Sequence, residues 1–281
     1  MYGTKLCLGL MGGLNVDSEE QIRALHMAGF DGFFSGWNKS IFKYRELADK
    51  FGMIYQSIHA PFANTDKIWK GGPDGDKYTN ELIACVEDCA KVNVPILVVH
   101  PYSSFTEFPG TTEVGLENFR KIVKKAEELG VKIAIENVHH PKLLDELFEE
   151  FKGNDAVGFC WDTGHEMCYT YGDDHIAKYG DRLIATHIND NLGKTRHDEE
   201  LTWHDDLHLL PFDGIIDWKD VCDRLNACGY NGILTFELNK NSRPNRYDNE
   251  KYAKMGYHEY IAECYNRACR IAYMKNGFKK G

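Results

Sequence analysis

The sequence predicts an α/β protein of the (β/α)8 class, a TIM barrel, and two observations support this prediction. Short β-rich runs alternate with amphipathic helical stretches almost without interruption along the chain. Eight such alternations fit within 281 residues, a length typical of one barrel. The alternative, a doubly wound open sheet, normally carries a G-x-G-x-x-G fingerprint in its first turn, and GLMGGL (9–14) lacks it. We therefore expect one barrel domain over residues 1–281.

Eight runs that are rich in β-branched and aromatic residues are predicted as strands. In chain order they are residues 5–10, 31–36, 53–60, 95–100, 131–137, 156–162, 182–189 and 232–238. Apolar residues at three- and four-residue spacing predict helices between them, most clearly over residues 18–29, 79–93, 115–130 and 217–229. Three of these helices end in Gly, a common helix C-cap, and Asp17 or Ser18 is the expected N-cap of the first.

Two long segments, residues 61–78 and 190–216, are polar or mixed and are predicted as loops after the third and seventh strands. In a barrel both would project at the C-terminal face, where active sites are built. Each contains a tryptophan, Trp69 and Trp203, which we consider as lid residues that cover a sugar or, equally, as residues of an oligomer interface. Lys194 and Arg196 could bind a substrate phosphate, although a solvated charge run is the commoner explanation.

Composition indicates which partners to expect. The formal net charge is -10 and the pI about 5.6, which argues against a grip on nucleic acid or an anionic membrane. No apolar run reaches the roughly 18 residues that span a bilayer. The nine cysteines include no CxxC pair, so we predict reduced thiols in a cytoplasmic protein.

Six successive predicted strands end in a carboxylate or an imidazole. The residues concerned are His59, His100, Glu136, Asp162 with His165 just beyond it, His187 and Glu237. Taken singly, each has an ordinary explanation as a rim hydrogen bond, a helix cap or a surface charge. Together they would be several buried charges at one barrel mouth, and an unpaired buried charge costs several kcal/mol. One divalent cation would compensate them, and a set of oxygen and nitrogen donors without cysteine suits Mn²⁺, Zn²⁺, Co²⁺ or Mg²⁺.

Short motifs at these positions resemble one known superfamily. They are IENV (135–138), WDTGH (161–165), THIND (186–190), DLHLLPFDGIIDW (206–218) and FEL (236–238). In their order and spacing the sequence resembles the xylose isomerase-like TIM barrels, which include sugar isomerases and epimerases and the type IV apurinic endonucleases. The similarity spans nearly the whole chain, and it is the combination rather than any one motif that is specific.

The isomerase and epimerase branch implies a single metal ion held by Glu136, Asp162, His187 and Glu237. The two glutamates would flank a small keto-sugar or related hydroxy-carbonyl compound as an acid/base pair. One removes a proton next to the carbonyl, the other returns one, and the metal stabilises the enediolate. An inosose-type dehydratase would use the same proton abstraction, and a sugar-binding protein without catalysis stays open. The resemblance also implies a homodimer. Asn137 directly follows Glu136 in the sequence, and we expect it to orient that carboxylate.

The endonuclease branch implies three zinc ions and nine ligands. Its additional ligand positions are filled here by His59, His100, His165, Asp206 and His208. Three departures favour the sugar branch: a Pro- and Gly-containing loop before the IDW helix, no Gly-rich turn after Glu136, and no basic or aromatic wedge in residues 9–20. We therefore predict that these five residues contact substrate or support a second metal, and that nucleic acid is not the partner.

Overall fold

The computed structural model describes residues 3–105, 108, 110–195 and 199–277, and it contains one sheet of eight parallel strands. The strands are β1 Leu6–Gly9, β2 Gly32–Gly36, β3 Ile54–His59, β4 Ile96–Val99, β5 Lys132–Glu136, β6 Val157–Asp162, β7 Leu183–His187 and β8 Leu234–Phe236. Strands β1 to β7 pair with their neighbours in chain order, and β8 pairs with β1. Each strand lies within its predicted range, so all eight predictions are confirmed.

The barrel closes between β7 and β8 through a short bridge just beyond β7. Ile188 N donates to Thr235 O at 2.8 Å, and Glu237 N donates to Ile188 O at 3.2 Å. β7 and β8 are the two ends of the strand order and they meet each other here, so the fold is a (β/α)8 barrel and not an open sheet. The closure also brings His187 and Glu237 to adjacent positions at the C-terminal rim.

Helices follow the strands around the outside of the barrel. Those in the described ranges are α1 Ser18–Ala28, α2 Ile41–Phe51, α3 Gly72–Lys91, α4 Glu113–Leu129, α5 Pro141–Glu150, α6 Thr163–Tyr169, α7 His175–Tyr179, α8 Trp218–Ala227, α9 Glu250–Ala253 and α10 Tyr257–Asn276. The side chain of Asp17 caps α1 by accepting from Glu20 N, and Gly29 ends it with φ 105°. No helix in this part of the chain is long and apolar enough to cross a bilayer.

The prediction of a loop over residues 61–78 is wrong for much of this segment. A 3-10 helix occupies Thr65–Trp69, and α3 begins at Gly72, seven residues before the predicted start at residue 79. Its first two turns are polar and contain Gly and Pro, so they carry no apolar periodicity from which a helix could be predicted. Pro73 nevertheless suits the first turn of a helix, where its missing N–H is not needed.

A small buried cluster lies inside the barrel and consists of Val98, Ala134, Cys160 and Ala185. Each member precedes by two residues a side chain predicted for the site, in order His100, Glu136, Asp162 and His187. Side chains of a strand alternate between its two faces, so the site residues point the same way as this cluster and stand one layer above it. The cluster is therefore the floor of the barrel mouth. All nine cysteines, Cys160 among them, are free thiols.

Trp69 belongs to the core, and the prediction that it forms a lid is wrong. Its side chain is 1% exposed, its ring packs 5.3 Å from that of Phe119, and its Nε1 donates to Pro101 O at 2.9 Å. A Cβ at Gly115 would lie 2.2 Å from its Cε3 atom, so α4 passes directly against the indole. The apolar packing and satisfied N–H bury Trp69 against α4, and Trp69 does not line the cavity at the barrel mouth.

We expect Trp69→Ala to lower the free energy of unfolding by about 3–5 kcal/mol, because it empties a closely packed site of a large aromatic ring. Urea unfolding followed by circular dichroism measures the change. The matched control is Trp203→Ala, which removes an indole that is 47% exposed and should change stability by less than about 1 kcal/mol. Equal losses in the two variants would contradict this assignment.

Candidate active site

The C-terminal mouth of the barrel gathers the predicted carboxylate and imidazole side chains. Six strand ends, helix α6 and the loop after β7 supply them: His59, His100, Glu136, Asp162, His165, His187, Asp206, His208 and Glu237. All except His100 and Glu237 are buried residues. The structure therefore brings all nine predicted polar positions together.

Four of them form one compact donor set. Glu136, Asp162, His187 and Glu237 each offer one ligand atom, and these atoms lie within 4.8 Å of one another. His187 Nδ1 is central: it lies 3.0 Å from Glu136 Oε1 and 2.9 Å from Glu237 Oε2. Glu136 and Asp162 are both 0% exposed. Donor atoms this close together could share one small cation.

The second oxygen of Glu136 faces two further histidines. Glu136 Oε2 lies 3.2 Å from His59 Nε2 and 3.1 Å from His100 Nε2, and the two Nε2 atoms are 3.2 Å apart. Phe62 covers this pair, with its ring centroid 4.9 Å from that of His100. Both carboxylate oxygens of Glu136 are thus engaged by imidazoles.

A third corner is built by α6 and the long loop after β7. Asp162, His165 and His208 offer donor atoms within 4.8 Å of one another. Asp206 Oδ2 lies 3.6 Å from His165 Nε2 and 2.7 Å from His208 Nε2, the latter in an orientation that is poor for a hydrogen bond. Arg243 also contacts Asp206, through Nη2 at 2.9 Å from Oδ2.

The charges of the site are strongly coupled. Burial, together with the nearby Glu136 carboxylate, raises the pKa of Asp162 to about 6. Burial would also raise the pKa of Glu237, but the adjacent His187 lowers it to about 2. Burial disfavours a charged His187, yet neighbouring Cys160 and Glu136 raise its pKa well above the usual range. The neighbouring carboxylates likewise raise the pKa values of His165 and His208.

The donor set fits a divalent cation. Glu136 and Asp162 are buried carboxylates, and their ion-pair partners among the described residues are histidines rather than Lys or Arg. His100 Nδ1 and His187 Nε2 are buried without a hydrogen-bond partner in this part of the chain. A cation would relieve the carboxylate repulsion and displace imidazole protons, so its binding would weaken as the pH falls. Oxygen and nitrogen donors do not discriminate among Mn²⁺, Zn²⁺, Co²⁺ and Mg²⁺.

Neighbouring amides and a glycine fix the orientation of Asp162. Its Oδ1 accepts from His165 N at 2.6 Å, which caps α6, and its Oδ2 accepts from Asn189 Nδ2 at 2.9 Å. Asn137 binds the main chain of Asp162 on both sides, donating to its O and accepting from its N. Asn137 therefore supports Asp162, and the prediction that it orients Glu136 is wrong. A Cβ at Gly164 would lie 1.9 Å from Asn189 Oδ1.

Asp190 holds the long loop in place. Its Oδ2 accepts from Phe212 N at 2.8 Å and from Trp218 Nε1 at 2.9 Å, and its Oδ1 accepts from Ile216 N at 3.2 Å. Its main chain pairs with Leu209 in an antiparallel bridge. The residue before Leu209 is His208, which has φ 49°. The anchored loop thus presents His208, and Asp206 two residues earlier, to the barrel mouth.

A cavity of about 530 Å³ opens beside these residues, within the size range of small-molecule sites. Its aromatic wall consists of Phe34, Trp37, Phe62, Phe105, Tyr169 and Trp203. Glu237 lines this pocket and its side chain is 26% exposed, whereas Glu136 lies behind the histidines. Trp203 lines the pocket, so its lid role stays a prediction. Lys194 does not line it, and Arg196 lies outside the described residues.

A family model described as "Xylose isomerase-like TIM barrel" matches residues 22–257. The chain belongs to this family. The uncharacterized protein y4fM of Sinorhizobium fredii is 38% identical over 117 residues, which cover 39% of this chain and 34% of that protein. The match thus spans about a third of that relative. The uncharacterized protein MJ1311 of Methanocaldococcus jannaschii is 26% identical over 224 residues, 73% of this chain and 71% of that protein.

Solved structures of two sugar epimerases share the fold of this xylose isomerase-like barrel. D-psicose 3-epimerase with D-tagatose, from Clostridium cellulolyticum H10, superposes with a TM-score of 0.72 at 16% identity, over 96% of this chain and 98% of that chain. L-ribulose 3-epimerase gives a TM-score of 0.72 at 14% identity, over 97% of this chain and 95% of that chain. At such identities the similarity shows the fold.

Three residues that contact the site had no sequence prediction. Phe34 on β2 stacks on His187 with ring centroids 4.6 Å apart, Asn189 binds Asp162, and Arg243 binds Asp206. Asn189 lies within the THIND motif of this family member, so the motif itself was a signal. Phe34 lies in a strand that reads as ordinary core. Arg243 follows Glu237 by six residues in a segment without periodicity.

We expect Asp190→Asn to lower the free energy of unfolding by about 1–3 kcal/mol, because an amide nitrogen then faces donors that were satisfied by a carboxylate oxygen. Urea unfolding measures the loss. Asp223→Asn is the matched control, since Asp223 is an exposed partner of Lys219, and it should change stability by less than about 0.5 kcal/mol. A neutral Asp190→Asn would show that the loop does not depend on this carboxylate.

We expect a chelator to lower the melting temperature of this barrel and Mn²⁺ or Zn²⁺ to raise it again. An ion at about 100 times its Kd adds about 2.7 kcal/mol of stability when it binds the folded state alone. Differential scanning calorimetry measures the shift. Glu136→Gln should lose most of the gain, whereas the exposed Glu149→Gln should keep it. The same gain in all three proteins would place the ion elsewhere.

Proposed function

We propose that this protein is a divalent-metal-dependent sugar isomerase or epimerase that acts on a small keto-sugar or related hydroxy-carbonyl compound. One observation carries the proposal: Glu136, Asp162, His187 and Glu237 offer donor atoms within 4.8 Å of one another beside a pocket of about 530 Å³. Family membership supports it, and so do the two epimerase structures of the same fold. A small carbohydrate is the proposed partner, and cytoplasmic location and homodimer formation stay predictions.

The proposed ligands of the ion are Glu136, Asp162, His187 and Glu237. When bound, a divalent ion would supply Lewis-acid polarisation of a substrate carbonyl. Asn189 and the N-terminus of α6 hold Asp162 in one orientation, and the Phe34 ring stacks on the His187 ring. Such supporting contacts fix the direction of the donor atoms, which is what a defined coordination geometry requires.

Glu237 is the proposed acid/base that faces the substrate. It lines the pocket, so its carboxylate can come within hydrogen-bonding reach of a substrate C–H. A proton removed from the carbon next to the carbonyl would pass to Glu237. A single base can return the proton to the former carbonyl carbon while the neighbouring hydroxyl proton moves to the former carbonyl oxygen, which gives aldose–ketose isomerisation.

Epimerisation requires a proton donor on the opposite face of the substrate. Glu136 was predicted for this role, but its carboxylate does not line the pocket. His59 and His100 do line it, and their Nε2 atoms contact Glu136 Oε2. We propose that Glu136 acts on the substrate through one of these imidazoles, which would carry the proton across the intervening distance.

An apurinic endonuclease is the second candidate, because all nine ligand positions of that branch lie together at this barrel mouth. Two features of the pocket favour the sugar enzyme. Its described lining contains one Lys or Arg, Arg243, whereas a phosphodiester backbone is held mainly by basic side chains. Arg243 is moreover bound to Asp206, one of the nine. Metal content and cleavage of an abasic duplex separate the two candidates.

Glu237→Gln should abolish turnover while the fold persists, because an amide cannot accept the substrate proton. The measurement is exchange of a substrate C–H with solvent deuterium, followed by NMR over a panel of ketoses. Wild type should incorporate deuterium, and Glu237→Gln should slow incorporation by at least about 100-fold, the usual contribution of a general base. Glu136→Gln should lose bound metal as well as turnover.

Glu263→Gln serves as the control, because Glu263 pairs with Arg267 on α10 away from the pocket. A wild-type protein that binds sugar without exchanging any C–H would be a binding protein. Exchange accompanied by loss of water from the product would indicate the dehydratase. Normal exchange in Glu237→Gln would refute the proposed base.

A further inference from the structure

We propose that Arg243 acts as a fixed cation in the pocket wall and takes the place of a further metal ion at the corner formed by His165, Asp206 and His208. This corner is distinct from the four-residue set around Glu136, and the role of Arg243 follows from its own contacts. The inference concerns how many ions the barrel mouth accepts.

Arg243 is fastened to Asp206 by two contacts. Its Nε donates to the main-chain O of Asp206 at 2.5 Å, and its Nη2 donates to Oδ2 at 2.9 Å. Its guanidinium also lies 5.5 Å from the ring centroid of Trp203, on the same loop as Asp206. A guanidinium held at three points in a largely buried position cannot easily move aside.

The same Oδ2 atom is the one that a metal ion at this corner would need. It lies 2.7 Å from His208 Nε2 and 3.6 Å from His165 Nε2, so it stands between the two imidazoles. Arg243 donates a hydrogen bond to this oxygen, and His208 Nε2 lies close to it without hydrogen-bond geometry, so little room is left for an ion on it. The donor atoms that lie within 4.8 Å of one another at this corner are those of Asp162, His165 and His208, and Asp206 is not in that set.

Charge favours the same conclusion. A guanidinium is always protonated, and it would repel a dication placed next to the carboxylate that it binds. Arg243 therefore compensates Asp206 with one positive charge that neither exchanges with solvent ions nor depends on pH. Removing the Arg243 side chain would free Asp206 Oδ2 beside two imidazoles and make the net charge of the corner more negative by one unit.

The experiment compares the metal content of full-length variants. Wild type, Arg243→Ala, Arg243→Gln and Arg243→Lys are saturated with Zn²⁺, passed over a desalting column and analysed by plasma mass spectrometry. The two neutral variants should hold about one more ion per chain than wild type, and the lysine variant should match wild type. Adding Asp206→Asn to Arg243→Ala should remove the extra ion. Circular dichroism identifies any variant that fails to fold, and either neutral variant suffices.

Arg246→Ala is the matched control: Arg246 lies on the same segment as Arg243, pairs with Asp248 and with Thr195 of the loop after β7, and does not line the pocket. It should bind as many ions as wild type. Equal metal content in wild type and both neutral variants would overturn the proposal, as would loss of an ion from wild type on Asp206→Asn alone. A wild-type protein that binds no ion would instead contradict the proposed function. The role of Arg243 is judged separately, by the difference in ion content between the neutral variants and wild type.

Discussion

The mouth of this barrel is organised by the compensation of one buried carboxylate, that of Glu136. It is 0% exposed, and its two oxygens contact imidazoles that come from β3, from the end of β4 and from β7. An uncompensated charge at this depth would cost several kcal/mol, so the strands must meet in the register that delivers those rings. The closure between β7 and β8 then brings Glu237 to the same cluster. Architecture and chemistry are therefore set by the same contacts.

The fold was predictable because barrel strands carry a strong local signal. β-branched and aromatic runs of regular spacing located all eight strands, and the strand ends located the carboxylates and imidazoles that meet there. Failures arose where local signals are silent or ambiguous. The start of α3 is polar and rich in Gly and Pro, and the burial of Trp69 depends on α4, which is distant in sequence. Arg243 and the support of Asp162 by Asn137 depend on loop geometry that no periodicity encodes.

The two glutamates of the site differ in what surrounds them. Glu136 is enclosed by imidazoles, whereas Glu237 follows the last strand and faces the open pocket. A carboxylate that is fully engaged by donors is suited to hold a charge, and one with a free side toward a ligand is suited to exchange a proton. The sequence treats them alike, because each ends an apolar strand. This difference in surroundings appears only when the neighbours from other strands are in place.

The absence of a Cβ at Gly164 allows the ends of β6 and β7 to pack closely against each other. The Asn189 side chain occupies the space that a Cβ at position 164 would need, and its amide nitrogen donates a hydrogen bond to Asp162 Oδ2. The hydroxyl of Thr163 bonds to the main chain of Asn189 in both directions, as donor to its O and acceptor from its N. These hydrogen bonds therefore tie the C-terminal ends of β6 and β7 to each other. A methyl group added at position 164 would displace Asn189. Because Asn189 is hydrogen-bonded to Asp162 and to Thr163, that displacement would also shift the aspartate.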